Sequence, residues 1–482
     1  MAVMPKRDQQ AVEQLLSSAP CSIELPAGTG KTELLTTSVQ CLGQRGLRAL
    51  VLTHTNAGVD ALRRRFRRRE VRSTAFRVET IASLAFQLVR AYPTLAGFTA
   101  TEPPDWTQSR RFIQGATKVL EAEAIRSVFT NSFDYVFIDE YQDCDVNQHA
   151  FALALRRAIP DTVILGDPLQ AIFTFGDPLP DWKRDVLTAF PPYSVPIHPY
   201  RWVQHNLDLG HWLLDVRPQL QTGQRFDISK GAAAGVSFIP DRGPATLAYA
   251  ANLIRSTSES VVLLDKWPND VARHASHLGG RFVVMEDIAG GFMSRSLKDL
   301  PAEGNPQIAA WVARLAKQCM IGLAKIDQPI LNKLDAGQAV SHLARPGLEP
   351  ALCALDALQG NPTYQEAARA GAEILRCNGV RLFRREAWQD TCGALVQTAE
   401  NGDSPEANLA RRREGLRRAG RPEQKRVASR TLLVKGLEYD HVIVADLSKM
   451  RDPKNLYVAL SRARKSVIVI GSSPEVVLHD GG

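Results

Sequence analysis

Short apolar runs alternate with helix-length segments along the first part of the chain. The runs SIEL, RALVLT, YVFIDE and TVILGD are separated by segments whose pattern predicts helices over 31–45, 56–70 and 146–158. Strands separated by helices are typical of a parallel sheet covered on both faces. The alternation returns in GVSFIP, VVLLD and RFVVME, and near the C-terminus in HVIVAD and SVIVIG. We therefore expect an α/β protein with two parallel sheets.

Two stretches interrupt this alternation and predict insertions. The first contains TEPPDW and a helical pattern, and in the second Ala, Leu, Arg and Glu dominate while β-like runs disappear. We expect each α/β domain to carry a mainly helical insertion. The expected domains are 1–85 with 131–197, its insertion 86–130, then 198–291 with 426–482, and its insertion 292–425.

Composition places the chain among ordinary globular proteins. Of 482 residues, 44% are hydrophobic and 23% charged, and no apolar run approaches the roughly 20 residues that span a bilayer. The first residues lack the apolar core of a signal peptide, and the seven cysteines form no CxxC pair. These features predict a cytoplasmic protein with reduced thiols.

The net charge of +8 mildly favours a polyanionic partner. The densest basic run is RRRFRRR, residues 63–69. Seven residues cover two helical turns, so these charges are expected to surround a helix. Such a run either contacts phosphates or forms a solvated helix surface.

The stretch LPAGTGKTELL, which follows the first apolar run, predicts a phosphate-binding loop. Its second half matches G-x-x-x-x-G-K-[ST], although an alanine stands near the first glycine position. In such loops, backbone N–H groups point at phosphate oxygens, the lysine reaches the β- and γ-phosphates, and the threonine ligates Mg²⁺. The expected nucleotide-binding residues here are Ala27, Gly28, Thr29, Gly30, Lys31, Thr32 and Glu33.

The run VFIDEYQD supplies the carboxylates that a phosphate-binding loop requires. Four apolar residues lead directly into Asp139 and Glu140. We expect Asp139, with Thr32, to hold Mg²⁺ and Glu140 to orient and deprotonate the attacking water.

Further polar groups follow the next strand. Gln170, in VILGDPLQAIFTF, is a neutral donor that could sense the γ-phosphate, and Phe173 and Phe175 are either core residues or stacking platforms for bases. Arg201, in HPYRW, and Arg462 and Arg464, in YVALSRARK, are candidates for stabilising charge on a transferring phosphoryl group.

The order of these motifs resembles superfamily 1 DNA helicases of the UvrD/Rep/PcrA type. PAGTGKT is similar to motif I, THTNAGVDAL to Ia, IDEYQD to II, LGDPLQAIF to III, PYRW to IV, KGLEYD to V and YVALSRA to VI. The resemblance implies two RecA-like P-loop NTPase domains that hydrolyse ATP with Mg²⁺ and act on single-stranded DNA.

The resemblance also implies roles for individual residues. Gln142 would couple the ATP site to the DNA, and Arg462 would be the arginine finger. Adenine would be read by Gln9 or Gln10 and stacked on by Tyr200. The remaining implied contacts are Gln170 and Arg201 with the γ-phosphate, Gly436 and Glu438 with the nucleotide, and His54, Thr55, Asn56 and Phe175 with DNA.

Several positions depart from the family pattern. Ile81 and Ala82 stand where a Phe-His pair is usual, Leu432 replaces a histidine, and Pro168-Leu169 replaces an acidic pair. These departures lie toward the DNA or the coupling between sites, so ATP hydrolysis is better supported than strand separation. Both insertions are also short for this family.

The sequence thus predicts an ATP-hydrolysing translocase or helicase, 3′-to-5′ by family analogy. In size and motif set it is similar to the helicase subunit of Gabija-type antiphage systems, which implies a nuclease partner and a role in antiphage defence, with DNA repair as the alternative pathway. One alternative is an ATP-dependent, DNA-sensing switch that recruits or activates a nuclease. A second is a DNA-binding module with a vestigial ATP site, which the intact motif residues disfavour.

Overall fold

A computed structural model describes residues 6–102, 104–173 and 176–479. The chain divides into two compact units. The first comprises the chain up to Gln224 together with Asp452–Ser461, and the second comprises Arg225–Arg451 with Arg462–His479.

A five-stranded parallel sheet forms the centre of the first unit, with strand order β1-β5-β4-β2-β3. Four of its strands confirm the apolar runs of the sequence. The edge strand β3 escaped prediction because Arg77 and Glu79 alternate with its apolar residues. The strands are β1 Cys21–Glu24, β2 Ala49–Thr53, β3 Phe76–Thr80, β4 Tyr135–Ile138 and β5 Thr162–Gly166.

Helices surround this sheet, and the three that the pattern predicted are confirmed as α2, α3 and α8. A capping box, in which Asp145 and Gln148 satisfy each other's backbone N–H groups, starts α8. The helices of this part of the chain are α1 Lys6–Ser17, α2 Lys31–Gln44, α3 Asn56–Arg68, α4 Ile81–Ala91, α5 Pro93–Ala96, α6 Ser109–Val119, α7 Glu123–Ser132, α8 Val146–Ala158, α9 Leu187–Ala189, α10 Leu207–Asp215 and α11 Arg217–Gln221.

Alternate residues of the strands face two buried clusters, one on each side of the sheet. Along β2, Ala49 and Val51 belong to the cluster with α1 and α2, and Leu50 and Leu52 belong to the other. The second cluster also includes Phe112 of α6. The helices of segment 86–130 therefore cover one face of the sheet and share its core.

A six-stranded parallel sheet organises the second unit, with order β7-β14-β13-β8-β12-β9. Together with the first sheet it confirms the predicted fold class. Two antiparallel pairs, β6 with β15 and β10 with β11, complete this unit. The strands are β6 Arg225–Asp227, β7 Val236–Pro240, β8 Val261–Leu264, β9 Val283–Val284, β10 Met320–Ile321, β11 Arg381–Leu382, β12 Arg426–Ser429, β13 Tyr439–Val444, β14 Ala463–Gly471 and β15 Glu475–Val477.

The region 292–425 is mainly helical, as its composition predicted. Its helices bury a core of their own that includes Trp311, Leu355 and Trp388. The helices of the second unit are α12 Pro244–Leu253, α13 Pro268–His277, α14 Gly291–Lys298, α15 Ile308–Cys319, α16 Gln328–Asp335, α17 Glu349–Gly360, α18 Tyr364–Arg376, α19 Arg385–Asn401 and α20 Pro405–Ala419.

One further helix, α21 Pro453–Leu460, lies in the first unit although the chain on both sides of it lies in the second. It packs on α11 and on the single turn Pro168–Gln170. The compact units thus differ from the sequence-based domains at two places, 198–224 and Asp452–Ser461. Within the described ranges, none of the helices is long and apolar enough to cross a membrane.

Candidate nucleotide site

The loop between β1 and α2 depends on two glycines in the left-handed region. Gly28 has φ 73° and Gly30, which caps α2, has φ 95°. A Cβ at Gly28 would lie 2.7 Å from a ring carbon of Trp202, and one at Gly30 would lie 3.0 Å from the ring of Tyr200. Glycine is required here both by the backbone conformation and by the close approach of two aromatic rings.

Lys31 begins α2 and is buried, and its Nζ donates to the carbonyl oxygen of Leu25 at 2.6 Å. Thr29 is also buried, with its hydroxyl donating to the carbonyl of Pro26. Thr32 lies in the first turn of α2. A lysine ammonium group beside a loop whose glycines have left-handed φ values, at the N-terminus of a helix, is suited to binding phosphate.

Glu33, which the sequence assigned to the nucleotide, forms ion pairs with Arg65 of α3 and with Arg69, which follows that helix. Its carboxylate therefore links two helices. This pairing also accounts for part of the basic run.

The carboxylates of IDEYQD lie immediately after β4. Burial raises the pKa of Asp139 to about 7, Glu140 adds to this, and Lys31 opposes it. Glu140 has φ 56°, a conformation that costs a non-glycine residue about 1–3 kcal/mol and that occurs preferentially at functional sites. Gln142 donates to a carboxylate oxygen of Glu140.

The end of β5 continues this polar network. Gln142 accepts a hydrogen bond from the backbone N–H of Asp167 at 3.0 Å, and Gln170 donates to the Asp167 carboxylate at 2.9 Å. Burial alone would raise the pKa of Asp167, but Arg217, Lys31 and the hydrogen bonds outweigh it and hold the pKa below its usual value. Because β5 lies between β1 and β4, this network lies between the loop that follows β1 and the carboxylates that follow β4.

The single helical turn Tyr200–Trp202 lies against the glycine loop. The backbone N–H of Arg201 donates to the carbonyl of Gly28 at 3.0 Å, and its guanidinium donates to the carbonyl of Ser461. Trp202 is 1% exposed, whereas Tyr200 is 59% exposed. The structure thus brings the predicted residues Tyr200 and Arg201 to the loop.

Sequence reasoning missed two residues beside this loop, Arg217 and Tyr457. Arg217 forms two hydrogen bonds with Asp167, at 2.9 and 3.0 Å. The hydroxyl of Tyr457 accepts the backbone N–H of Ala27 at 3.1 Å. Tyr457 lies in the quoted segment YVALSRA, but no local pattern around Arg217 signals its role.

The residues assigned to DNA lie around the start of α3 and after β5. Thr55 caps α3 by accepting from the N–H of Gly58, and Asn56 is exposed. His54 contacts Cys144, with 3.6 Å between Nε2 and Sγ. Phe173 is 44% exposed, and Phe175 lies outside the described residues.

The arginine run occupies the last turns of α3 and ends at Arg69, the residue that follows the helix. Arg63 donates to the carbonyl of Val78 at 3.0 Å. Arg64, Arg67 and Arg68 are exposed and, at spacings of three and four, share one side of the helix. The run thus includes both structural pairs and a basic outer surface.

The remaining predicted residues fall at the ends of the chain or in the second unit. Gln10 lies on α1 and is exposed, and the side chain of Gln9 lies outside the described residues. In the second unit Gly436 has φ 81° and Glu438 is exposed, while Arg462 is buried and donates to the carbonyl of Leu437.

Arg464, the other arginine of this segment, pairs with Asp440 at 3.1 Å. It therefore serves a structural ion pair within the second unit.

Comparison with known protein families gives a match that includes the nucleotide site. Residues 8–176 match a family model described as an AAA domain. The match covers about a third of the chain and includes the glycine loop and the carboxylates after β4. None of the curated proteins matches the sequence.

Among solved structures, one that is similar is the Pif1 helicase from Candida albicans. It is 12% identical, the alignment covers 98% of this chain and 94% of that one, and the TM-score is 0.39. Similarity at this level does not bear on the fold or the function of this chain.

The loop and the carboxylates fit a nucleoside triphosphate with Mg²⁺. Within the ranges described, no group of three or more His, Cys, Asp and Glu side chains is placed to hold a metal. Mg²⁺ is commonly bound by one or two protein ligands together with substrate phosphates, which agrees with Thr32 and Asp139 as its candidates.

Proposed function

We propose that this protein is an ATP-dependent translocase or helicase that moves along single-stranded DNA in the 3′-to-5′ direction. The observation that carries the proposal is that the glycine loop with buried Lys31 and the carboxylate of Asp139 follow the carboxyl ends of strands in one parallel sheet. The AAA-domain match over the same residues supports ATP as the nucleotide.

Each group in the site has a role in phosphoryl transfer to water. Lys31 and the loop amides bind the phosphates, and Thr32 and Asp139 hold Mg²⁺, which neutralises phosphate charge. Glu140, held by Gln142, orients the attacking water and accepts its proton.

Arginines stabilise the negative charge that builds up during transfer. Arg201, beside the glycine loop, takes this role, and Gln170 contacts the γ-phosphate. Tyr200 is exposed and stacks on the adenine.

DNA contact would begin at the exposed start of α3. Thr55 and Asn56 would meet the strand there, and the partly exposed Phe173 offers a ring for stacking. Base–aromatic stacking contributes about 1–3 kcal/mol per base and depends little on sequence.

The first experiment measures ATP hydrolysis with and without single-stranded DNA. We expect Lys31→Ala to abolish hydrolysis, while Lys118→Ala, which changes an exposed lysine of α6 in the same unit, should leave the rate unchanged. DNA should stimulate the unaltered protein. A Lys31→Ala protein that hydrolyses ATP normally would refute the assignment of the site.

A second candidate function is an ATP-dependent switch that senses DNA and recruits or activates a nuclease. One observation favours it. Ile81 is 2% exposed at the start of α4, so its side chain offers no contact to DNA at this motif. Weak contacts there favour sensing over movement.

Displacement of streptavidin from a biotinylated single strand separates the two functions. A translocase removes streptavidin from one end of the strand only, and removal at the 5′ end indicates 3′-to-5′ movement. DNA-stimulated hydrolysis without displacement from either end would favour the switch.

A further inference from the structure

A buried cluster joins α21 to the carboxyl end of the central sheet of the first unit. Arg217 forms a bidentate pair with Asp167, and both side chains are almost completely buried. The guanidinium also lies 4.8 Å from the centre of the Tyr457 ring, within cation–π range. The fixed fork of an arginine makes this geometry specific, because a lysine cannot form both bonds and stack.

Tyr457 extends this cluster to the glycine loop. Its ring is 1% exposed, and its hydroxyl accepts the N–H of Ala27, between Pro26 and Gly28. Ala27 is itself buried, so without this partner its N–H would be left unsatisfied away from water.

A second connection ties the same segment to the same loop. Arg201 joins the carbonyl of Gly28 to the carbonyl of Ser461 through its N–H and its guanidinium. The loop is therefore held on both sides of its left-handed turn by Asp452–Ser461, a segment supplied from more than 400 positions later in the chain.

We propose that Tyr457 and Arg217 are positioning residues for nucleotide binding: Tyr457 fixes the Ala27 amide, and Arg217 orients Tyr457. The inference rests on the proposed nucleotide site and deepens it. Neither residue contacts the phosphates. They act by holding the loop in its binding conformation before the nucleotide arrives, which reduces the ordering that binding requires.

Burial supports this arrangement. It is the largest cause of the raised pKa of Tyr457, and the phenol therefore stays protonated and neutral across the physiological range. Arg217 keeps its charge because Asp167 and Tyr457 outweigh the effect of its burial. The cluster thus keeps one hydrogen-bonding state while the nucleotide binds and leaves.

The test compares Tyr457→Phe, Arg217→Lys and the double variant in the full-length protein. Tyr135→Phe is the matched control, because that tyrosine lies in the same unit and bonds a backbone carbonyl, that of Leu16. The measurements are the KM for ATP, kcat, and equilibrium binding of Mg–ADP.

We expect Tyr457→Phe to raise both the KM and the dissociation constant of Mg–ADP about tenfold, which matches the loss of one buried hydrogen bond. The value of kcat should change by less than about twofold, because the chemical groups remain in place. Arg217→Lys should shift the same constants in the same direction, and Tyr135→Phe should leave them unchanged.

The double variant distinguishes positioning from general loss of stability. If Arg217 acts through Tyr457, the double variant binds no more weakly than the weaker single variant. Effects that multiply would show two independent roles and overturn the proposed relay. If Arg217→Lys does not fold, Tyr457→Phe, which removes one oxygen atom, still decides the role of the hydroxyl.

Lys31→Ala separates failure of this inference from failure of the proposed function. Normal Mg–ADP binding by Lys31→Ala would overturn the nucleotide site itself. Lost binding in Lys31→Ala, together with unchanged binding in Tyr457→Phe, would overturn the positioning role alone.

Discussion

Replacing Gly28 by alanine tests whether the glycine loop is shaped by its aromatic neighbour. Gly28 and Gly46 have almost the same φ, 73° and 77°, both in the range that disfavours a residue with a Cβ. A Cβ at Gly28 would meet two ring carbons of Trp202 at 2.7 and 2.8 Å, whereas a Cβ at Gly46 would meet nothing within 4 Å. Gly46→Ala is therefore a matched control for the backbone.

The expected magnitudes differ because only one variant adds a clash. A left-handed conformation costs a residue with a Cβ about 1–2 kcal/mol, and both variants incur this cost. Trp202 is 1% exposed and cannot turn into solvent, so Gly28→Ala adds an overpacking cost of about 1–3 kcal/mol. We expect Gly28→Ala to lose about 2–5 kcal/mol and Gly46→Ala about 1–2 kcal/mol.

Thermal unfolding measures the difference. For a unit of this size, 1 kcal/mol lowers Tm by about 2–4 °C, so Gly28→Ala should melt at least about 2 °C below Gly46→Ala. It should also bind Mg–ADP more weakly, because Trp202 and the adjacent Arg201 must move away from the loop. Equal melting temperatures for the two variants would refute the reasoning from the Trp202 contact.

Two further predictions concern charge. If Arg64, Arg67 and Arg68 contact phosphates, replacing all three by Gln should weaken the salt dependence of single-stranded DNA binding. The slope of log K against log salt should fall in magnitude by about 2. An unchanged slope would show that this face of the helix is only solvated. Burial raises the pKa of Asp139 from 3.8 to about 7, so its ionisation opposes folding as pH rises between these values. Asp139→Asn should therefore abolish ATP hydrolysis. Relative to the unaltered protein, it should raise Tm above pH ~7 and leave Tm nearly unchanged below pH ~4. An unchanged Tm at the higher pH would contradict the burial of this carboxylate.

The sequence predicted those parts of the site whose residues are neighbours in the chain. The glycine loop and the run into Asp139 each occupy one strand end, so a local pattern predicts both the element and the polar residues that follow it. The parallel sheets were predictable for the same reason. The short strand β12 and the polar-edged β3 were missed because neither has an apolar run.

The parts that could not be predicted depend on where distant segments meet. Tyr457 bonds Ala27 across 430 positions, and Arg217 bonds Asp167 across 50. The hydrophobic periodicity of a segment shows which of its faces is buried, but it does not show which distant segment packs against that face. Periodicity likewise gave no sign that Glu33, beside Lys31, forms ion pairs with Arg65 and Arg69.

The placement of Asp452–Ser461 affects how the protein is made. The first unit cannot finish folding when residue 224 leaves the ribosome, because its buried segment Asp452–Ser461 is translated only after most of the remaining chain. Until then, the surface that receives Tyr457 stays uncovered in the nascent protein. A polypeptide ending at Gln224 would keep that surface permanently, so we expect it to aggregate, and adding the missing segment as a separate peptide should improve its solubility.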